Sequence, residues 1–154
     1  MKKKELFKTI DIDERKFILC KFNAQTGSYI LFKLTSIITP LFSQIKNSKK
    51  TEDLNLDDIN LTELASSLFS LPEKEFRYIQ DHCLMSIKEL LPGAQPFVLD
   101  EFGTWGNEDI EFDTQLVLNL TLKELVFNIA PFFTGFQSST IMKDLTSSLQ
   151  NLKI

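Results

Sequence analysis

A short alternating stretch opens the chain and gives way to long helical stripes after about residue 24. Phe7 to Ile12 and Lys16 to Phe22 are rich in Phe and Ile, and Asp13, Glu14 and Arg15 between them supply turn chemistry. The pattern predicts an N-terminal antiparallel hairpin. Ile10 and Ile12 share one face, as do Ile18, Cys20 and Phe22. Phe17 and Leu19 make the opposite face apolar too, which predicts a second strand covered on both sides. A lone hairpin is marginal in water, so helices must cover it.

From Ala24 onward, Ile30, Leu34, Ile37, Leu41 and Ile45 recur at helical spacing, with Leu31, Ile38 and Phe42 widening the stripe. Pro40 predicts a kink or break near residues 37–39. Residues 46–58 are mostly polar and read as a loop. Asn60 and Glu63 then form a capping pair for a helix carrying Leu61, Leu64, Ala65, Leu68 and Leu71. Ser70 and Glu73 repeat the device, with Pro72 in the first turn. The stripe Phe76, Ile79, Cys83, Ile87 and Leu90 predicts a helix running to Pro92-Gly93. These two helices should pack as a hairpin.

Gln95 to Leu99 is a candidate third strand beside the hairpin. Residues 100–113 are irregular and acidic. Asp113 is the expected N-cap of a strong helix that reaches Ala130 and stops at Pro131. That helix is apolar nearly all round, so it either lies at the centre of the core or holds one face for a partner. Ile141, Leu145, Leu149 and Leu152 mark a weaker peripheral helix within residues 137–154. Its spacing suits docking on its own domain and self-association equally. The fold class is α+β, predominantly helical. An N-terminal antiparallel β-hairpin, three-stranded if Gln95 to Leu99 joins it, packs on four or five helices in a single domain of 154 residues.

Composition adds one unusual feature to an ordinary globular profile of 43% hydrophobic and 25% charged residues. Phe supplies 14 of the 17 aromatics, and Phe is the aromatic without a polar handle, suited to dry contacts. The net charge of −4 comes with no basic face; Lys2, Lys3 and Lys4 are the densest cluster and stand beside Glu5. Nucleic acid is therefore not an expected partner. No apolar run of about 18 residues exists to span a bilayer, and Lys2 to Lys4 lead into no apolar signal core. Cys20 and Cys83 have no metal or redox spacing, which fits reduced thiols in a cytosolic protein.

Reactive constellations are scarce. His82 is the single histidine, on the flank of its helix's apolar stripe beside Tyr78 and Met85, while Cys83 lies about 100° round the helix. The acidic stretch Asp100, Glu101, Glu108, Asp109, Glu111 and Asp113 lacks the alternating ligands of a calcium loop. Gly103-Thr104-Trp105-Gly106 is a turn signal with no following Lys to make a phosphate loop. No enzyme, cofactor or metal is expected. Apolar surface remains: Phe97, Phe102, Trp105, Phe127, Phe132, Phe133 and Phe136 crowd the C-terminal third. Most clustered Phe is core, but part of this set can line a groove for another protein's apolar helix. Phe102, Trp105, Phe132, Phe133 and Phe136 are the candidate partner-binding residues.

The order of elements is also familiar. Thr9-Ile10-Asp11-Ile12 and Lys16-Phe17-Ile18-Leu19 run into Phe22-Asn23-Ala24 and a helix with Leu31-Phe32-Lys33-Leu34 reaching Thr39-Pro40. A helical pair through Leu61 to Leu68 follows, then Leu116 to Asn128 closing on Pro131-Phe132-Phe133. The whole, from Phe7 to Phe136, resembles the tail assembly chaperone proteins of tailed bacteriophages. The clearest motifs are the Phe22-Asn23-Ala24 junction and the Asn128 to Phe133 helix end. The resemblance does not extend to the tail after Phe136 or to the acidic insertion around Trp105. The resemblance implies a non-enzymatic protein of the bacterial host cytoplasm. Such a protein binds the tape measure protein, and also tail tube protein, during assembly and is absent from the finished particle. The competing expectation is a virion structural component of the tail or neck.

Overall fold

A computed structural model describes residues 5–35, 65–66 and 68–136, with the side chains of 131–136 excepted. The hairpin forms as its alternation predicts. Strand β1 (Phe7–Ile12) pairs antiparallel with β2 (Arg15–Cys20), from Phe7 opposite Cys20 to Ile12 opposite Arg15. Asp13 (φ 48°) and Glu14 (φ 67°) alone make the turn. A two-residue turn with both φ positive matches the strands' twist, and glycine is the residue that adopts it without strain. Glu14→Gly is therefore expected to stabilise the protein by about 1 kcal/mol, seen as a melting temperature about 2–4 °C higher. A lower melting temperature would mean that Glu14 stabilises the turn through its side chain.

Arg15 belongs to β2 rather than to the turn. Its Nη2 donates to both carboxylate oxygens of Glu89, at 2.9 and 2.7 Å, which pairs a carboxylate that is almost wholly buried. Glu89 lies on the third strand, β3 (Ile87–Glu89), which pairs with β2 through Phe17–Glu89 and Leu19–Ile87. The sheet order is β1-β2-β3. This corrects two expectations. The stripe through Ile87 and Leu90 is not helical, and Gln95 to Leu99 is not the third strand. The segment folds back beside β3 instead, through a single bridge between Lys88 and Phe97. The hydrogen bonds Val98 N to Ile87 O at 2.8 Å and Glu89 N to Pro96 O at 2.9 Å hold it there. Ile10, Ile12, Phe17, Leu19 and Ile87 are buried on the inner face of the sheet. On the outer face Ile18 and Cys20 are only half-buried, so β2 is not sealed on both sides as its composition suggested.

Helix α1 covers residues 24–35, and Asn23 Oδ1 accepts the Thr26 N–H at 2.8 Å to cap it. Ile30 and Leu34 point into the core. Helix α2 (Glu73–Met85) starts after Pro72, which takes the N-cap position two residues later than the predicted Ser70. Ser86 ends the helix by donating its hydroxyl to His82 O, and its carbonyl accepts from Cys20 N. Ile87 is then free to enter the sheet. A short α3 (Glu108–Glu111) precedes the long α4 (Thr114–Phe136). Asp113 caps α4 as expected, its Oδ1 accepting from Leu116 N at 3.0 Å.

Helix α4 lies at the centre of the molecule. One core joins its Leu122, Leu125, Val126 and Ile129 to Ile30, Leu34, Leu68, Ile79 and Cys83. A second joins its Leu116, Val117, Leu120 and Phe127 to the sheet, Leu84, Val98, Leu99 and Ile110. An all-round apolar sequence is what two cores on one helix require. Contrary to expectation, α4 does not stop at Pro131 but continues to Phe136. A proline inside a helix leaves the carbonyl four residues earlier without its donor, here that of Phe127. Lys21 Nζ donates to that carbonyl from the end of the hairpin and lies 3.8 Å from the centroid of the Phe127 ring. The lysine replaces the missing N–H. The break near Pro40, the loop at 46–58, the Asn60 and Glu63 cap and the helix within 137–154 lie outside the described residues.

Candidate functional site

The loop between β3 and α4 is built from the backbone outward. Pro92-Gly93 turns the chain so that Leu91 and Ala94 bridge, and Gly93 takes a left-handed φ of 76°. Gly106 N donates to Val98 O at 3.1 Å, and a Cβ at Gly106 would sit 2.3 Å from the Phe97 carbonyl oxygen, so only glycine fits. Leu99 and Trp105 bridge across a tight turn. Asp100 organises that turn: its Oδ1 accepts from both Phe102 N and Thr104 N at 2.8 Å, while its own N–H donates to Thr104 O at 2.9 Å. Gly103 supplies the left-handed residue, with φ 83°.

The turn holds Phe102 in water, 84% exposed. These hydrogen bonds fix the backbone that carries the ring, so little backbone entropy remains to be lost when the ring is covered. Trp105 behaves differently: it is half-buried, packed on the core that joins the sheet to α4. Phe132, Phe133 and Phe136 lie on the last turns of α4, where the structure describes the backbone only. Phe127 is buried and belongs to the core; Phe97 is 44% exposed, with the Lys88 ammonium 5.0 Å from its ring centroid. A second strongly exposed ring on this loop escaped the sequence analysis. Phe112, between α3 and the Asp113 cap of α4, is 83% exposed. It belongs to no periodic stripe; its neighbours Glu111 and Asp113 were the only sequence signal.

A second feature lies where the hairpin meets α4. The Phe22 N–H donates to Asn128 Oδ1 at 2.8 Å, and Asn128 Nδ2 donates to the carbonyl and the carboxyl of Glu124 at 2.9 and 3.0 Å. Glu124 is fully buried, and its Oε2 has no hydrogen-bond partner among the described residues. Burial raises its pKa to about 9, against weaker opposing effects of the Asn128 hydrogen bond and the Lys21 charge. The side chain is therefore a neutral acid at pH 7. Burial also lowers the pKa of Lys21, opposed by the Glu124 charge. Beside this junction is a cleft of about 260 Å³ with Phe22, Ala24, Ile30, Leu31 and Ile129 in its lining. Lys21 and Asn128 also line it, but their polar atoms are engaged internally. Asn23 and Ser28 line it as well, so the cleft offers mixed apolar and polar contact.

The remaining candidate groups do not converge. His82 lies against Tyr78 in a tilted contact, 4.3 Å between centroids, Tyr78 in turn meets Tyr29 at 4.8 Å, and burial lowers the imidazole pKa. Cys83 faces the core; burial first, then the Glu124 charge, pushes its thiol well above the ordinary range. Among the described residues no three His, Cys, Asp or Glu side chains gather as a metal site, and no helix is long and apolar enough to cross a membrane.

Residues 13–140 match the family model described as phage tail assembly chaperone protein, TAC. The match spans β2, helices α1 to α4 and the loop that carries Phe102 and Phe112. No curated protein and no solved structure matches the chain.

Proposed function

The chain belongs to the phage tail assembly chaperone family, and from that premise we propose that it binds the tape measure protein during tail assembly in the bacterial host cytoplasm. Tail tube protein is a second client, and the chaperone carries out no covalent chemistry on either. The observation that supports this reading best is the exposure of Phe102 on a hydrogen-bonded turn. Covering such a ring is worth on the order of 1.5–3 kcal/mol, enough for reversible capture when a few rings act together. Phe102 and Phe112 are the first contact residues of this reading. Trp105 supports the turn from beneath, and Phe132, Phe133 and Phe136 on the last turns of α4 complete the proposed contact set.

Co-expression with the tape measure protein of the same phage genome is the direct test. The client should move from the insoluble to the soluble fraction and co-purify with the chaperone. An unchanged solubility without co-purification would overturn the proposal. One observation favours a structural role in the particle instead. Cys20 N points to Ser86 O and Lys21 N to Leu6 O, so Phe7, Thr9 and Asp11 turn their backbone groups away from β2. Among the described residues that edge is unpaired and can extend a neighbour's sheet. Mass spectrometry of purified particles separates the two: a chaperone is absent, a tail or neck component stoichiometric.

A further inference from the structure

Charge is segregated along this chain. Between Lys88 and Lys123 there is no Lys, Arg or His, yet Glu89, Asp100, Glu101, Glu108, Asp109, Glu111 and Asp113 all fall there. Those seven are a third of the 21 acidic residues, and the rest of the chain is net positive, with 17 cations against 14 carboxylates. Three of the seven have structural work. Glu89 pairs with Arg15, Asp100 holds the Phe102 turn, and Asp113 caps α4. Glu101, Glu108, Asp109 and Glu111 do none: all four are exposed, and among the described residues their side chains make no hydrogen bond or ion pair. Two of them are chain neighbours of the two most exposed rings among the described residues, Glu101 of Phe102 and Glu111 of Phe112.

We infer that this loop is the client-docking surface and that it takes a cationic amphipathic segment, whose apolar residues cover Phe102 and Phe112 while its Lys or Arg side chains meet the four free carboxylates. The inference rests on the chaperone reading above and specifies the client chemistry. Apolar contact alone does not discriminate among greasy segments, whereas complementary charge speeds encounter with the right one and repels the wrong one. The same charge disfavours a second copy as the occupant. Two of these loops face to face would bring eight unpaired carboxylates together across a drying interface. The acidic surround thus keeps the exposed rings from joining each other while leaving them open to a basic partner.

The test uses the full chain and three synthetic amphipathic peptides with one Leu face and Lys, Gln or Glu at the polar positions, followed by fluorescence anisotropy. The Lys peptide should bind at least about tenfold more tightly than the Glu peptide, and the preference should shrink as salt rises from about 50 to 500 mM. The variant E101Q/E108Q/D109N/E111Q should bind all three alike with an unchanged melting temperature. Phe102→Ala with Phe112→Ala should weaken all three by about tenfold. Equal binding of the three peptides by the unmodified protein, or a Lys preference that survives the neutralised variant, overturns the inference. Co-expression keeps the two ideas apart. If the unmodified chain and both variants solubilise the tape measure protein equally, the surface assignment fails and the chaperone reading stands. If the unmodified chain does not solubilise it, the chaperone reading fails.

Discussion

Glu124→Gln is expected to abolish most of the fall in stability expected between mild acid and mild alkali. Glu124 is fully buried on α4, and burial lifts its pKa from 4.5 to about 9. The folded state therefore holds a proton that the unfolded chain releases above its ordinary value. A raised folded-state pKa contributes stability that is complete below about pH 4.5 and is lost as pH rises toward about 9. The slope is about 1.4 kcal/mol per pH unit, which amounts to roughly 3 kcal/mol between pH 4.5 and neutrality. Glutamine keeps the shape and the acceptor for Asn128 but has no proton to lose. Urea unfolding at a series of pH values measures the effect: the unmodified protein should weaken from pH 5 to 8, and the Gln variant should show no such fall over that range. Equal slopes in both would show that Glu124 is ionised in the fold.

The second large effect concerns Lys21 and Pro131. If Lys21 supplies the donor that Pro131 cannot, Lys21→Met leaves the Phe127 carbonyl unpaired in a half-buried site, at a cost of about 2 kcal/mol. Met keeps the apolar stem of the side chain, so most of the loss is the polar contact. Pro131→Ala returns a backbone N–H to Phe127 and should stabilise α4 by about 1–3 kcal/mol. In that background the lysine substitution should cost much less. A double-mutant cycle by chemical denaturation is expected to give a coupling of at least about 1 kcal/mol. Strict additivity would show that the lysine acts through the Phe127 ring or through general packing instead.

This contact gives a physical account of the two motifs on which the family resemblance was clearest. Phe22-Asn23-Ala24 and the Asn128 to Phe133 helix end are about a hundred residues apart in sequence, and they meet. Phe22 donates to Asn128, Lys21 donates to Phe127, and Asn23 caps α1 beside them. The junction fixes the hairpin and α1 on the central helix. It is built for stability and orientation; the exposed rings of the loop are on another part of the chain.

Wherever structure follows from neighbours a turn or two away, the sequence alone determined it. The hairpin follows from alternation interrupted by Asp13, Glu14 and Arg15, α1 from the Ile30 and Leu34 stripe, and the start of α4 from Asp113. Family membership follows from the order of these same elements. The destination of Ile87 was not legible, because its spacing from Cys83 suits a helix and three residues are too few to signal a strand; β2 decided it by offering an open edge. Nor was the passage of α4 through Pro131, which depends on a lysine brought in from the hairpin. Phe17, Phe102, Phe112 and Phe127 are the same residue to any pattern, yet two are sealed and two stand in water. Glu124 looks like an ordinary helical acid until two cores close round it. Periodicity and caps are local energies, whereas burial and replacement hydrogen bonds depend on what the fold places across the gap, and only tertiary structure decides that.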